Sequence, residues 1–451
     1  MAGAAGCRVL AIMGSGETSP TMVTVHRALV ARLAASRPAA VLLDTPYAFQ
    51  ENAADVSARA KAYFARSVGL DVTVISGTGP GDPASLLAAD WVFAGPGSPS
   101  YALDRWRDDG TGQALRDRVA AGAGVTVMAS AAAATTGCAA LPVYEVYKAG
   151  AAPHWLDGLD LLASCGLRVA MIPHYDNAEG GTHDTRYCYL GERRLAKLER
   201  ELPDGAAVLG VDEHTAAIID LDAESLEVTG RGAVTVRRAG HSTALAGGTV
   251  VSLAELRSLV RHGPTATAVI AGRGRPADRG PGPGSPGAPA TLDEITAGAA
   301  GRFGAAEAAR DVPAMVTAIL DLEEAIGDWS ADTEEDQGTT QARAVLRGLI
   351  SRLGAIATAG DPGERLAAAA GPLLRLRSAL RDQGFYPAAD AIRDALTAAG
   401  LLVQDTADGT RWSVPGWLPG PSLGVARGSR SSDYGSVLPG TGRAGSGHGT
   451  S

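Results

Sequence analysis

The stretch GVTVMASAAAATTG (124–137) runs an apolar segment into an alanine-rich one, with Ser130 at the junction. A serine in that position has a specific chemistry open to it. A strand delivers it to the carboxyl edge of a sheet, and a sharp turn into a helix exposes its hydroxyl. The free N–H groups and positive dipole end of that helix then face a developing oxyanion. The usual signature is G-x-S-x-G, but here the flanks are Met128, Ala129, Ala131 and Ala132. The competing reading is a serine that caps an alanine helix.

A nucleophilic hydroxyl needs a base. His174, in RVAMIPHYDNAEGGTHDTR, stands just past the carboxyl end of another apolar run, where ligands bind in open α/β sheets. His183, His154 and His214 are rival bases. The base in turn needs an acid to orient it and to stabilise its cation. Glu145 follows Ser130 by fifteen residues and is the leading candidate, with Asp157 and Asp176 as competitors. The glycine turn in FAGPGSPSYAL (93–103) brings a backbone N–H at Gly97. With the N–H of Ala131 it forms a pair of oxyanion donors, each worth roughly 3 kcal/mol in catalysis.

Further polar residues are candidates for holding a substrate. Ser15 lies in the glycine-rich turn MGSGETSP, and Asn177 and His183 lie in the loop after His174. Arg193, or Arg194 beside it, carries a guanidinium suited to a carboxylate. The alternatives are a plain turn and a solvated helix face. No His, Cys, Asp or Glu pair has the spacing of a zinc site, and no metal or organic cofactor is expected.

The elements that position these residues are legible as alternation. Apolar runs at 8–13, 39–44, 71–75, 90–95, 124–129, 168–172, 207–212, 215–220 and 233–237 are separated, early on, by amphipathic segments such as SARAKAYFARSV. Runs that are apolar at nearly every position suit strands covered on both faces. The expected fold class is α/β, a mostly parallel sheet flanked by helices over 1–262. The last three runs lack helices between them, which implies a hairpin or a mixed edge. A Gly/Pro-rich linker is expected at 263–290 and an all-helical domain at 291–413. That domain ends in a hairpin turning at Asp408–Gly409, and a Gly/Ser/Pro-rich tail at 414–451 reads as disordered.

Composition narrows the function classes. The 451-residue chain has 45% apolar and 20% charged residues and a net charge of −9. These values suit a globular protein and disfavour nucleic acid as a whole-surface partner. Four dispersed cysteines, no CxxC pair and no run of ~18 apolar residues point to a cytoplasmic protein with no membrane partner.

Residues 1 to about 262 resemble the serine peptidases of the cyanophycinase and dipeptidase E type, whose fold is that of class I glutamine amidotransferases. The segment AGPGSPSYAL is similar to the family's GGGN-like oxyanion loop, with Gly97 at the matching position. ASAAA falls where the family has its S-A-G nucleophile, and IPHYDNAEGGTHDTR resembles the segment with the catalytic histidine. GVDEHTAAIID resembles the family's G-I-D-E-x-T-A strand, near Asp212 and Glu213. The Ser130-to-Glu145 spacing is similar to that between nucleophile and acid in the group. The resemblance implies a Ser130–His174–Glu145 triad that cleaves a peptide or isopeptide bond, with a peptide or acidic dipeptide-like substrate.

The segment YPAADAIRDALTAAGLLVQDTADGTRWSV is similar to the C-terminal end of cysteinyl-tRNA synthetases. That likeness implies a tRNA or protein contact through 291–413. HIGH-like and KMSKS-like segments and the zinc cluster of those enzymes are missing from the sequence, so aminoacylation is not expected. The alternative to a peptidase is a catalytically inactive binding protein of the same fold. A homodimer is one possible assembly.

Overall fold

A computed structural model of the chain describes residues 7–121, 124–180, 182–264, 266–270, 290–330, 338–358, 362–406 and 409–413. The fold is α/β with helical segments after it. Every apolar run read from the sequence is a strand: β1 (Arg8–Met13), β2 (Ala40–Leu43), β3 (Val72–Ile75), β4 (Trp91–Ala94), β5 (Gly124–Ala129), β8 (Val169–Ile172), β9 (Ala207–Val211), β10 (Thr215–Asp220) and β12 (Ala233–Arg238). Six more lie between or after them. These are β6 (Ala139–Ala140), β7 (Leu156–Asp157), β11 (Ser225–Gly230), β13 (His241–Ala246), β14 (Val250–Ser252) and β15 (Ala268–Ile270). They are short, or they mix polar with apolar residues because one face is partly open, as the alternating burial of β11 illustrates.

The strands form two sheets. The first has the order β14-β11-β10-β1-β5-β4-β2-β3, and β1, β5, β4, β2 and β3 are mutually parallel. The second has the order β15-β13-β12-β9-β8-β6-β7, with β6, β8 and β9 parallel and β12 antiparallel to β9. The near-continuous apolarity of β1 follows from cover on both sides. Leu10 and Ile12 join an apolar cluster that also takes in Val169, Met171, Leu209 and Val211 of the second sheet. Val9, Ala11 and Met13 pack on the opposite face, with Met22, Val25, Leu29 and Phe64 from the helical connections.

The chain packs as two units that divide between Leu346 and Arg347. This boundary falls later than the composition break at 263–290. The helices Leu292–Ala309 and Val312–Trp329 belong with the α/β part, held there by an Arg231–Glu294 ion pair and a His214–Trp329 ring contact. Of the expected linker, Ala268–Ile270 pair as a strand with β13, while residues 265 and 271–289 lie outside the described residues. So does the whole of the expected tail, 414–451.

In the second unit the helix Tyr386–Ala398 buries Ala389, Ile392 and Leu396, spaced i, i+3, i+7. The hairpin pairs β16 (Leu402–Thr406) with β17 (Gly409–Ser413), so Gly409 opens the second strand; residues 407–408 lie outside the described set. The Arg377 guanidinium, fully buried, donates to both carboxylate oxygens of Asp405 at 2.7 and 2.9 Å and ties the helix Pro362–Asp382 to this hairpin. Among the described residues no helix is long and apolar enough to cross a membrane.

Candidate active site

Strand β5 ends at Ala129 in extended backbone, and Ser130 then turns sharply, with φ +46°, into the helix Ser130–Ala134. A non-glycine residue in this region costs about 1–3 kcal/mol and persists only where the surroundings hold it. Ala131 and Ala132 lie outside the positive-φ set. The backbone conformation therefore demands no glycine at Ala132, where the elbow signature has its second one. Met128 and Ala132 are fully buried in the cluster shared by the two sheets, and the Ala132 N–H donates to the Gly95 carbonyl at 3.1 Å.

His174 follows β8, also at positive φ (+47°), and its N–H donates to the Gly14 carbonyl at 3.3 Å. Its Nε2 lies 3.0 Å from Ser130 Oγ, and its Nδ1 lies 2.9 Å from Glu213 Oε1. Glu213 sits in the loop between β9 and β10. Its N–H donates to Asp176 Oδ1 at 2.8 Å, and its Oε1 accepts a second hydrogen bond from Asn177 Nδ2 at 3.1 Å. Burial works against the Glu213 charge. The hydrogen bond and charge of His174, with the Asn177 amide, outweigh it and hold the carboxyl below its ordinary range.

Glu145 does not reach His174. It lies on the one-turn helix Val143–Tyr147, which turns Val143, Tyr144 and Tyr147 to the cavity and Glu145 away from it. The carboxylate beside His174 is that of Glu213 instead. Sequence spacing counts residues along the chain, whereas the meeting of His174 and Glu213 comes from parallel pairing of β8 with β9, Ile172 opposite Gly210. The usable signal was placement: like His174, Glu213 stands just past the carboxyl end of a strand, inside the quoted segment GVDEHTAAIID.

Gly97 and Ala131 both line the same cavity as Ser130. Gly97 has φ +131°, and a Cβ there would lie 2.0 Å from the Pro46 carbonyl oxygen, so only glycine fits. As a first-turn residue, Ala131 has no intrahelical acceptor for its N–H.

The remaining polar candidates lie elsewhere or do other work. Ser15 is fully buried and does not line the cavity, because its loop packs inward: a Cβ on Gly14 would lie 2.1 Å from the Asp212 carbonyl oxygen. The Gly14 carbonyl of that loop accepts the His174 N–H. Asn177, also fully buried, holds Glu213. His183 and Arg193 are exposed and outside the cavity lining. His214 faces Thr21, with Nδ1 2.9 Å from the hydroxyl, and exposed His154 sits on the Ala152 carbonyl.

The cavity holds about 380 Å³, within the range of small-molecule sites. Tyr47, Tyr144, Tyr147 and Tyr189 give it aromatic walls. Lys148 lies 4.8 Å over the Tyr144 ring, and the Tyr189 hydroxyl donates to Glu179 at 2.8 Å. A cation and a second carboxylate thus flank the serine–histidine–glutamate array. Among the described residues no group of three His, Cys, Asp or Glu side chains is arranged to hold a metal ion.

No family model matches the chain. Two cysteine–tRNA ligases match short stretches. The one from Frankia casuarinae is 55% identical over 42 residues, 9% of this chain and 8% of that protein. The one from Cereibacter sphaeroides is 34% identical over 97 residues, 21% of this chain and 17% of that protein. The chain therefore spans less than a fifth of either curated relative. A crystal structure of a peptidase from an acI-B1 Actinobacterium aligns over 55% of this chain and 97% of its own, with 17% identity and a TM-score of 0.44.

Proposed function

We propose that the chain is a serine hydrolase that cleaves a peptide or isopeptide bond in a short substrate. One observation carries the reading: a serine in a strained strand-to-helix turn, 3.0 Å from an imidazole whose other nitrogen is 2.9 Å from a carboxylate. Ser130 Oγ attacks the acyl carbon while His174 Nε2 takes the hydroxyl proton. His174 then returns that proton to the leaving amine, and an acyl-enzyme remains. Water, deprotonated by the same imidazole, attacks the ester, and the proton returns to Ser130. Glu213 fixes the tautomer of His174 and stabilises the imidazolium. The N–H groups of Gly97 and Ala131 receive the oxyanion. Lys148 and Glu179 suit a substrate that carries a carboxylate and an ammonium group. The wild-type chain is expected to label with a serine-directed fluorophosphonate, and Ser130→Ala to abolish labelling while circular dichroism stays unchanged. Labelling that persists in Ser130→Ala would move the nucleophile elsewhere.

A second reading concerns the helical part. The matches to two cysteine–tRNA ligases favour a tRNA or protein contact there, and salt-sensitive tRNA binding by the full chain tests it.

A further inference from the structure

The loop that carries Glu213 is gripped by the two helices that follow the α/β part. The residue after Glu213 is His214, at φ +50°, and its ring meets the edge of Trp329 at 5.7 Å and 74°. Trp329 is almost fully buried, so its indole occupies a fixed place. On the other side of the imidazole, Nδ1 lies 2.9 Å from Thr21 Oγ1, and a Cβ on Gly16 would lie 2.2 Å from it. His214 is therefore wedged between a helix and a glycine turn that leaves no spare room.

The second grip comes through the turn between β11 and β12. Arg231 donates its backbone N–H to the His214 carbonyl at 3.0 Å. Next to it, the Gly232 N–H donates to Thr215 Oγ1 at 2.8 Å, and that hydroxyl donates to the Glu213 carbonyl at 2.9 Å. The Arg231 side chain is itself anchored. Its Nη2 is 2.7 Å from Glu294 Oε1, while Glu294 Oε2 completes the capping box of the helix Leu292–Ala309. Both helices thus act on the backbone of residues 213–215.

We infer that Trp329 and Glu294 are positioning residues for Glu213, and that the helical pair is a working part of the reaction centre. The inference rests on the hydrolase reading above. A carboxylate displaced by an ångström no longer holds His174 for proton transfer, and displacements of that size cost about 10²-fold in rate.

The test measures Ser130 labelling by a fluorophosphonate against pH, on the full chain and its variants. Trp329→Leu keeps apolar bulk but removes the aromatic edge. Glu294→Gln keeps the capping box but removes the charge facing Arg231. Both are expected to slow labelling about 10- to 100-fold at neutral pH. Both should also move the acid limb of the profile down by about one unit, because the imidazole loses a close negative charge. Trp329→Phe should restore most of the rate.

Wild-type rate and midpoint in both variants would overturn the inference and leave the hydrolase reading standing. A fall in rate that only tracks lost native circular dichroism, with the midpoint unmoved, would overturn it equally. If Trp329→Leu does not fold, Glu294→Gln decides alone, since its side chain is a third exposed and the change is isosteric. A wild-type chain that does not label at all would remove the hydrolase reading, and this inference with it.

Discussion

Replacing Glu213 by Gln tests which carboxylate serves His174. Glu213 Oε1 accepts from two donors, His174 Nδ1 at 2.9 Å and Asn177 Nδ2 at 3.1 Å. A glutamine oxygen can take the same place, so the tautomer and the ring orientation should survive while the charge is lost. Unit charges 4 Å apart are worth about 4 kcal/mol at an effective dielectric of 20. The Glu213 side chain is 27% exposed, which discounts this to roughly 3 kcal/mol. At 1.4 kcal/mol per decade the rate of Ser130 acylation should fall about 10²-fold. Glu145→Gln, two residues from the cavity-lining Tyr147 but turned away, should stay within about twofold. The assay is the second-order rate constant for fluorophosphonate labelling at pH 7, with thermal melts to verify folding. Glu213→Gln keeping more than about a fifth of the wild-type rate, or Glu145→Gln losing as much as it does, would refute the assignment of the acid.

Two further outcomes follow from the same geometry. Ser130→Gly should abolish labelling yet raise stability by about 1 kcal/mol, a shift in the melting midpoint of about 1–2 °C for a unit of this size, because glycine adopts φ +46° without strain; an unchanged or lower midpoint would argue against stored strain at the turn. Burial, with the charge of Asp176, pushes the Asp212 carboxyl up to about 8, so the folded chain holds a proton there that the unfolded chain has lost above about 4. Stability from this group is therefore full below about pH 4 and falls as pH rises to about 8. His26 and His214, lowered to about 4 by burial, oppose that trend below about 6.5. Between pH 6.5 and 8 these histidines no longer contribute, and the urea midpoint should fall more steeply in the wild type than in Asp212→Asn.

The strands were legible because their physics is local. Leu10 and Val9 point to opposite faces, each face is covered, and a run without polar residues records that. Ser130 and His174 were legible for a related reason, since each stands where a strand stops. The acid was not, because strand order inside a sheet is a long-range fact. Nothing between residues 174 and 213 states that β8 and β9 will be neighbours in register. The division into two sheets was hidden for the same reason: β5 and β8 read alike, yet they belong to different sheets. The role of Gly14 was also out of reach, since its need for glycine comes from the distant Asp212 carbonyl. Helix 312–329 was visible as a helix, but the seat of its last residue against His214 depends on tertiary packing alone.

The hydroxyl hangs from one sheet, while the imidazole and the carboxylate hang from the other. Their separation is therefore a tolerance of the apolar filling between the sheets, set in part by the bulk of Met128, Met171 and Leu209. These side chains act as shims. Thinning or thickening one of them would slide nucleophile past base without touching any polar atom, so reactivity in this fold can be tuned from its driest interior.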